Sequence, residues 1–279
     1  MIRLITDTCS LYSKEEGEKK GIIVNPLSIT LNNISYKEYE EISSEEAFNK
    51  INNGELPSTS QPNLGNLLEI YEKYKDDELI HICVADGLSG TYSVAMSCRE
   101  MVENKDKIHI INCQTLCGPE KYLVDLAKKL IDEGKKVEEI LSTLKEKIKS
   151  SKSVLIPMDF DFLRRGGRLS PGAAIMASTL KLSPLMVLAD DGKSINRHSI
   201  NRTLTKTFRE VVSYLEKHIK DENCQISISH AYAEESNLEK LKGMIKERFP
   251  KNEVLTYILS PVFIAHGGPK CIAIQTIDK

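Results

Sequence analysis

The apolar positions of the chain fall into short blocks with two periods, and the blocks alternate along its first half. Ile2 to Ile5 is an apolar run ended by Thr6-Asp7-Thr8, which predicts a buried strand entering a polar loop. Leu79 to Ala85 and Ile108 to Asn112 are further mainly apolar runs, as expected of parallel strands covered on both faces. Gly21 to Leu31 is strand-like but holds Pro26, which suits an edge or bent strand. Elsewhere the period lengthens. Asn63 to Lys75 sets Leu64, Leu67, Leu68 and Tyr71 on one helical face. Helices are also predicted from the loop at Asp86–Ser89 through Val102, over Glu120–Asp132 and over Val137–Ser150. Ser43-Ser44-Glu45-Glu46 caps an amphipathic segment to Ile51, and Pro57 to Pro62 reads as a loop. Strands alternating with helices predict a doubly wound, mostly parallel sheet.

After Ser151 the pattern changes. Ser153–Met158, Ser183–Leu188, Ser194–Ile200, Cys224–His230, Val254–Leu259 and Cys271–Thr276 read as strands. Asp190-Asp191-Gly192-Lys193 is a hairpin-type turn between two of them. Thr203–Ile219 and Glu235–Phe249 read as helices, the second stopped by Pro250, and Ala173–Leu180 as a helix of small residues. Hairpins mixed with helices predict an α+β unit with a mixed sheet. The expected fold class is therefore α/β in two domains, residues 1–150 and 151–279, with the boundary near Ser150.

Charge and cysteine usage narrow the function classes. There are 38 Lys and Arg against 40 Asp and Glu, a net charge of −2, so no overall basic field exists to hold nucleic acid. The seven cysteines are odd in number and widely spaced, unlike a disulfide framework. The first apolar run is too short for a signal peptide, and no run reaches the roughly 18 residues of a membrane span. A cytoplasmic protein without a membrane span is expected.

Four segments can carry chemistry. Thr59-Ser60-Gln61-Pro62 precedes a helix, where hydroxyls and free N–H groups suit an anionic oxygen; taken alone it reads more simply as a capping loop. Gly87-Leu88-Ser89-Gly90-Thr91-Tyr92 follows a buried strand and opens a helix, where open α/β sheets bind ligands. Ser89 lacks the Gly two residues on that a hydrolase elbow needs, and no Gly-Lys-Ser/Thr follows for a phosphate loop. A plain polar turn is the alternative. Arg164-Arg165-Gly166-Gly167-Arg168 is a local basic patch, either solvated or a docking surface for an anionic partner. His266-Gly267-Gly268-Pro269 lies between two strands, and a glycine-rich turn there can aim an imidazole into a cleft or leave it exposed. Cys113 and Cys117 lack further ligands at zinc spacing, so no metal is expected.

In this order, Thr6-Asp7-Thr8, the Thr-Ser-Gln-Pro segment, Leu88 to Tyr92, Leu163 to Arg168 and His266 to Pro269 resemble the DegV family of fatty-acid-binding proteins. The resemblance implies a long-chain fatty acid in a buried tunnel and no cofactor or intrinsic catalysis. It implies a carboxylate held by Thr59, Ser60, Ser89, Gly90, Thr91, His266 and Gly267. It further implies presentation of that carboxylate to a separate ATP-dependent kinase subunit, which makes an acyl phosphate for phospholipid synthesis. On that reading Arg164, Arg165 and Arg168 form the docking surface. The competing reading is a hydrolase or phosphotransferase using Ser89 and His266, with Asp7 or Asp86 as the acid. The chain departs from the family pattern at Ala85-Asp86-Gly87, Asn112-Cys113, Ser183-Pro184 and Lys270.

Overall fold

The computed structural model describes residues 1–174 and 182–279. Its first strands are β1 (Ile2–Asp7), β2 (Ile22–Asn25), β3 (Ser28–Leu31), β4 (Ile34–Lys37), β5 (Pro57–Ser60), β6 (Glu78–Cys83) and β7 (Ile108–Asn112). Then follow β8 (Lys152–Ile156), β9 (Ser183–Leu188), β10 (Ile195–Asn201), β11 (Cys224–His230), β12 (Val254–Ile258) and β13 (Ile272–Asp278).

β2, β1, β6 and β7 lie side by side in that order, all parallel. The apolar runs are continuous because both faces are covered. Leu4, Ile80 and Ile82 face the helices Cys117–Asp132 and Val137–Ser150, whereas Ile5, Leu79 and Cys83 face the helices Leu64–Lys73 and Thr91–Glu100. Successive side chains on a strand point to opposite faces, so one apolar run serves two cores.

The second sheet is mixed, in the order β10-β9-β8-β13-β11-β12, and only β11 and β12 pair in parallel. One face buries Val154, Ile226, Ile228 and Ile274 under the helices Leu204–His218 and Glu235–Arg248. The alternate positions Ser153, Ser227, Ser229 and Gln275 are polar and buried on the other face. There Gln275 donates to the Leu116 carbonyl at 2.9 Å and accepts from the Gly118 N–H at 3.3 Å. These bonds tie the mixed sheet to the start of the helix Cys117–Asp132.

Several elements differ from expectation. Residues 57–60 form a strand rather than a loop, and with β3 and β4 they make a three-stranded antiparallel sheet. β3 and β4 are joined by Asn32-Asn33, both at positive φ, the geometry of a tight two-residue hairpin. Lys14–Lys20 is a further helix, closed by a capping box between Ser13 and Glu16. His266 sits in the last turn of a helix, Pro261–Gly267, not in a loop. Leu163, Arg164 and Arg165 likewise end a helix, Phe160–Arg165. Of the expected helix at 173–180, residues 175–180 lie outside the described residues; Pro171–Ala174 is helical.

Candidate functional site

The two sheets and the three-stranded sheet meet around a cavity of about 370 Å³. Its wall is mainly apolar, with Leu27, Leu155, Leu163, Leu259, Val262 and Phe263 contributing. Three thiols, Cys9, Cys117 and Cys271, also face it. Its size falls within the roughly 300–1,000 Å³ of small-ligand pockets.

The polar lining comes from three small hydrogen-bonded sets. Thr59 on β5 hydrogen-bonds through Oγ1 to Nε2 of His266 at 2.9 Å. His266 reaches this position because its neighbour is glycine: a Cβ on Gly166 would lie 2.7 Å from His266 Nδ1. The same loop turns Arg168 inward. Its guanidinium donates to the Gly166 carbonyl and, at 2.9 Å through Nε, to the Leu88 carbonyl. Next to Leu88, the Ser89 hydroxyl is paired with Thr91 Oγ1 at 2.8 Å and accepts from the Thr91 N–H at 3.3 Å. Gly90 admits Gln61, whose Oε1 stands 2.0 Å from where a Cβ would be. A hydroxyl, an imidazole, a guanidinium and a second hydroxyl thus line one apolar cavity.

Burial, and secondarily the positive charge of Arg168, pushes the His266 pKa down to about 4. At neutral pH the site therefore holds a neutral imidazole beside a fixed cation. An anion entering here meets a permanent charge and several donors, and would raise the imidazole pKa in turn.

Thr59, Ser60, Ser89, Gly90, His266 and Gly267 all line the cavity. Thr91 lies behind it, buried, and bonds to Ser89. The arginines separate. Arg164 is exposed and pairs with Asp161 at 3.2 Å, and exposed Arg165 lies over the Phe162 ring. Arg168 does not share their surface: it lines the cavity beside the imidazole. The sequence reading missed this, and also missed Gln61, the three thiols and the helix that presents His266. The triad expected of a hydrolase is not assembled. Among the described residues no hydrogen bond joins Ser89 to His266 or any carboxylate to the imidazole. Asp86 instead pairs with Lys193, and Asp7 accepts from the N–H groups of Cys9 and Val84. No cluster of three His, Cys, Asp or Glu side chains able to hold a metal ion occurs among the described residues.

The model of the family described as "Uncharacterised protein, DegV family" matches residues 1–279. The chain belongs to the DegV family. A DegV domain-containing protein of Staphylococcus aureus (strain N315) is 31% identical over 283 residues, covering 99% of this DegV chain and 98% of that protein. Among solved structures, DegV of Bacillus subtilis, a fatty acid binding protein, superimposes with a TM-score of 0.86 at 27% identity, covering 100% of this chain and 99% of that one. A fatty-acid-binding DegV family protein from Thermus thermophilus has the same fold, with a TM-score of 0.88 at 23% identity over 100% of this chain and 99% of that one. These structural neighbours bind fatty acids. The α/β architecture, a parallel four-stranded sheet followed by a mixed sheet, is that of the DegV fold. No described helix is long and apolar enough to cross a membrane.

Proposed function

We propose that this DegV protein binds one long-chain fatty acid, with the acyl chain in the cavity and the carboxylate among Thr59, Ser89, Arg168 and His266. The observation that carries the reading is the composition of one cavity: an apolar wall, and in it a hydroxyl–imidazole pair, a second hydroxyl and a half-buried guanidinium. Burying a methylene stabilises by about 0.8 kcal/mol, so roughly fourteen of them give a gross apolar term of about 11 kcal/mol. A hydrogen bond to a charged group contributes about 1.5–3 kcal/mol. The tail supplies affinity and the head fixes orientation.

The cavity draws its lining from both sides of Ser150, with Thr59 and Ser89 from one and Leu163, Arg168 and His266 from the other. This fits a division into domains 1–150 and 151–279 with the ligand at their junction. The seven free thiols fit a reducing compartment such as the cytoplasm. The exposed cations Arg164 and Arg165, close to the inward-turned Arg168, suit the approach of an anionic, ATP-carrying kinase subunit that would phosphorylate the presented carboxylate.

Calorimetric titration with a homologous series of saturated fatty acids tests the binding reading. Affinity should rise about fourfold per added methylene until the cavity is full. Affinities that ignore chain length would show that the cavity is not an acyl site.

A further inference from the structure

We infer that Glu38 is a positioning residue for the His266–Thr59 pair, acting through the helix Pro261–Gly267 whose first turn its buried carboxylate caps. The inference rests on the reading of that pair as part of the carboxylate site.

The first-turn donors of this short helix account for one another with one exception. Pro261 has no N–H, and Phe263 and Ile264 both donate to the Ser260 carbonyl. The remaining N–H, that of Val262, donates to Glu38 Oε1 at 2.7 Å. The other carboxylate oxygen accepts from the Thr8 hydroxyl. Thr8 Oγ1 accepts in turn from the Leu27 N–H at 3.1 Å, and the Glu38 N–H donates to the Leu27 carbonyl at 3.0 Å. Glu38, Thr8 and Leu27 thus close a ring of hydrogen bonds, and all three are buried.

The three-stranded sheet holds the His266 helix from both ends. Glu38, one residue past β4, grips its first turn, and Thr59 on β5 grips His266 in its last. Val262 and His266 are four residues apart, about one helical turn or 6 Å of rise. Leu27, Val262 and Phe263 line the cavity, so the ring of bonds lies directly behind its wall. Packing alone would be served by an apolar side chain. An acid kept at zero exposure with a hydrogen bond to each oxygen costs desolvation and returns directionality: it fixes where the helix begins, and hence where the imidazole ends.

The test compares the parent with Glu38→Ala and Glu38→Gln in two measurements. One is the ratio of affinities for a long-chain fatty acid and its methyl ester. The other is the NMR titration of the His266 imidazole in ligand-free protein. Glu38→Ala should lower the acid-to-ester ratio about tenfold, and His266 should titrate at higher pH than in the parent as the imidazole leaves its pocket. Glu38→Gln keeps an acceptor for the Val262 N–H and should restore both. If Glu38→Ala does not fold, Glu38→Asp, one methylene too short to reach Val262, takes its place with the same expectation. Acid and ester weakened alike would make Glu38 a fold-holding residue only and overturn the inference. So would a folded variant with the parent's ratio and the parent's His266 titration. A parent protein that does not prefer acid over ester would sink the carboxylate-site reading instead, while the ligand-free titration still judges Glu38.

Discussion

Replacing Gly166 by alanine tests the head-group geometry at a position whose backbone angles suit alanine. Gly166 sits at φ −61° and ψ −23°, a helical conformation that alanine adopts readily. The backbone angles need not change, and the tightest backbone neighbour of the new Cβ would be the Leu163 carbonyl oxygen at 3.3 Å. The added Cβ, however, would lie 2.7 Å from His266 Nδ1, and ordinary contact begins near 3.4 Å. The imidazole must retreat by at least about 0.7 Å, a distance set by that contact. The other ring nitrogen bonds to Thr59 at 2.9 Å, and a ring displacement of this size disturbs a bond whose range is only a few tenths of an ångström wide. A fatty acid would lose one charge-assisted contact, about 1.5–3 kcal/mol, or roughly ten- to a hundredfold in Kd. The methyl ester should bind as before, because the acyl wall is untouched. Calorimetry with both ligands is the assay, with thermal unfolding as the control for stability. Unchanged fatty-acid affinity in a variant whose His266 has demonstrably moved would refute the role given to the imidazole.

Three further outcomes follow from the same geometry. Ser89→Ala should weaken fatty-acid binding by about one charge-assisted hydrogen bond, 1.5–3 kcal/mol, without abolishing it, and complete loss of lipid from the folded variant in an extraction assay would show the apportionment to be wrong. Burial first of all, with the charge of Asp7 adding to it, raises the Glu38 pKa from 4.5 to about 7. Between those values the folded state keeps a proton that the unfolded chain has lost, so this contribution to stability is full below about pH 4.5 and gone above about 7. Urea unfolding should then show the parent losing about 3 kcal/mol relative to Glu38→Gln between pH 4 and pH 8, and a pH-independent difference would contradict it. Arg165→Glu should leave lipid content unchanged and slow acyl-phosphate formation by a kinase subunit about tenfold; lost lipid with normal phosphorylation of the remainder would remove Arg165 from the docking surface.

The parallel sheet was legible in the sequence because its strands are buried on both faces, which writes them as unbroken apolar runs such as Leu79–Ala85. The mixed sheet was legible because strand-like runs joined by a hairpin turn at Asp190–Lys193 are mixed with helices such as Thr203–Ile219. What escaped were elements whose signals were short or contradictory. Gly267, Gly268 and Pro269 made the His266 segment look like a turn, although Pro261 followed by Val262, Ile264 and Ala265 is a short helix beginning on proline. Asn32-Asn33 marked a hairpin that the run ending at Leu31 concealed. The five segments that carry the family resemblance named most of the cavity's polar lining. They did not reveal that Arg168 turns away from Arg164 and Arg165, because that direction is set by the Gly166 and Leu88 carbonyls it reaches. Glu38 was equally hidden. In the stretch Lys37-Glu38-Tyr39-Glu40-Glu41 it reads as one solvated acid among three, and the groups that bind its carboxylate, Thr8 and Val262, lie far from it in sequence.

The central claim is that the cavity is an acyl site, and the most direct measurement is mass spectrometry of the folded protein, native and after organic extraction. One long-chain fatty acid per chain is expected, retained in the native complex and released on unfolding. Folded protein that carries no acyl chain, and takes none up when a long-chain fatty acid is supplied, would contradict it.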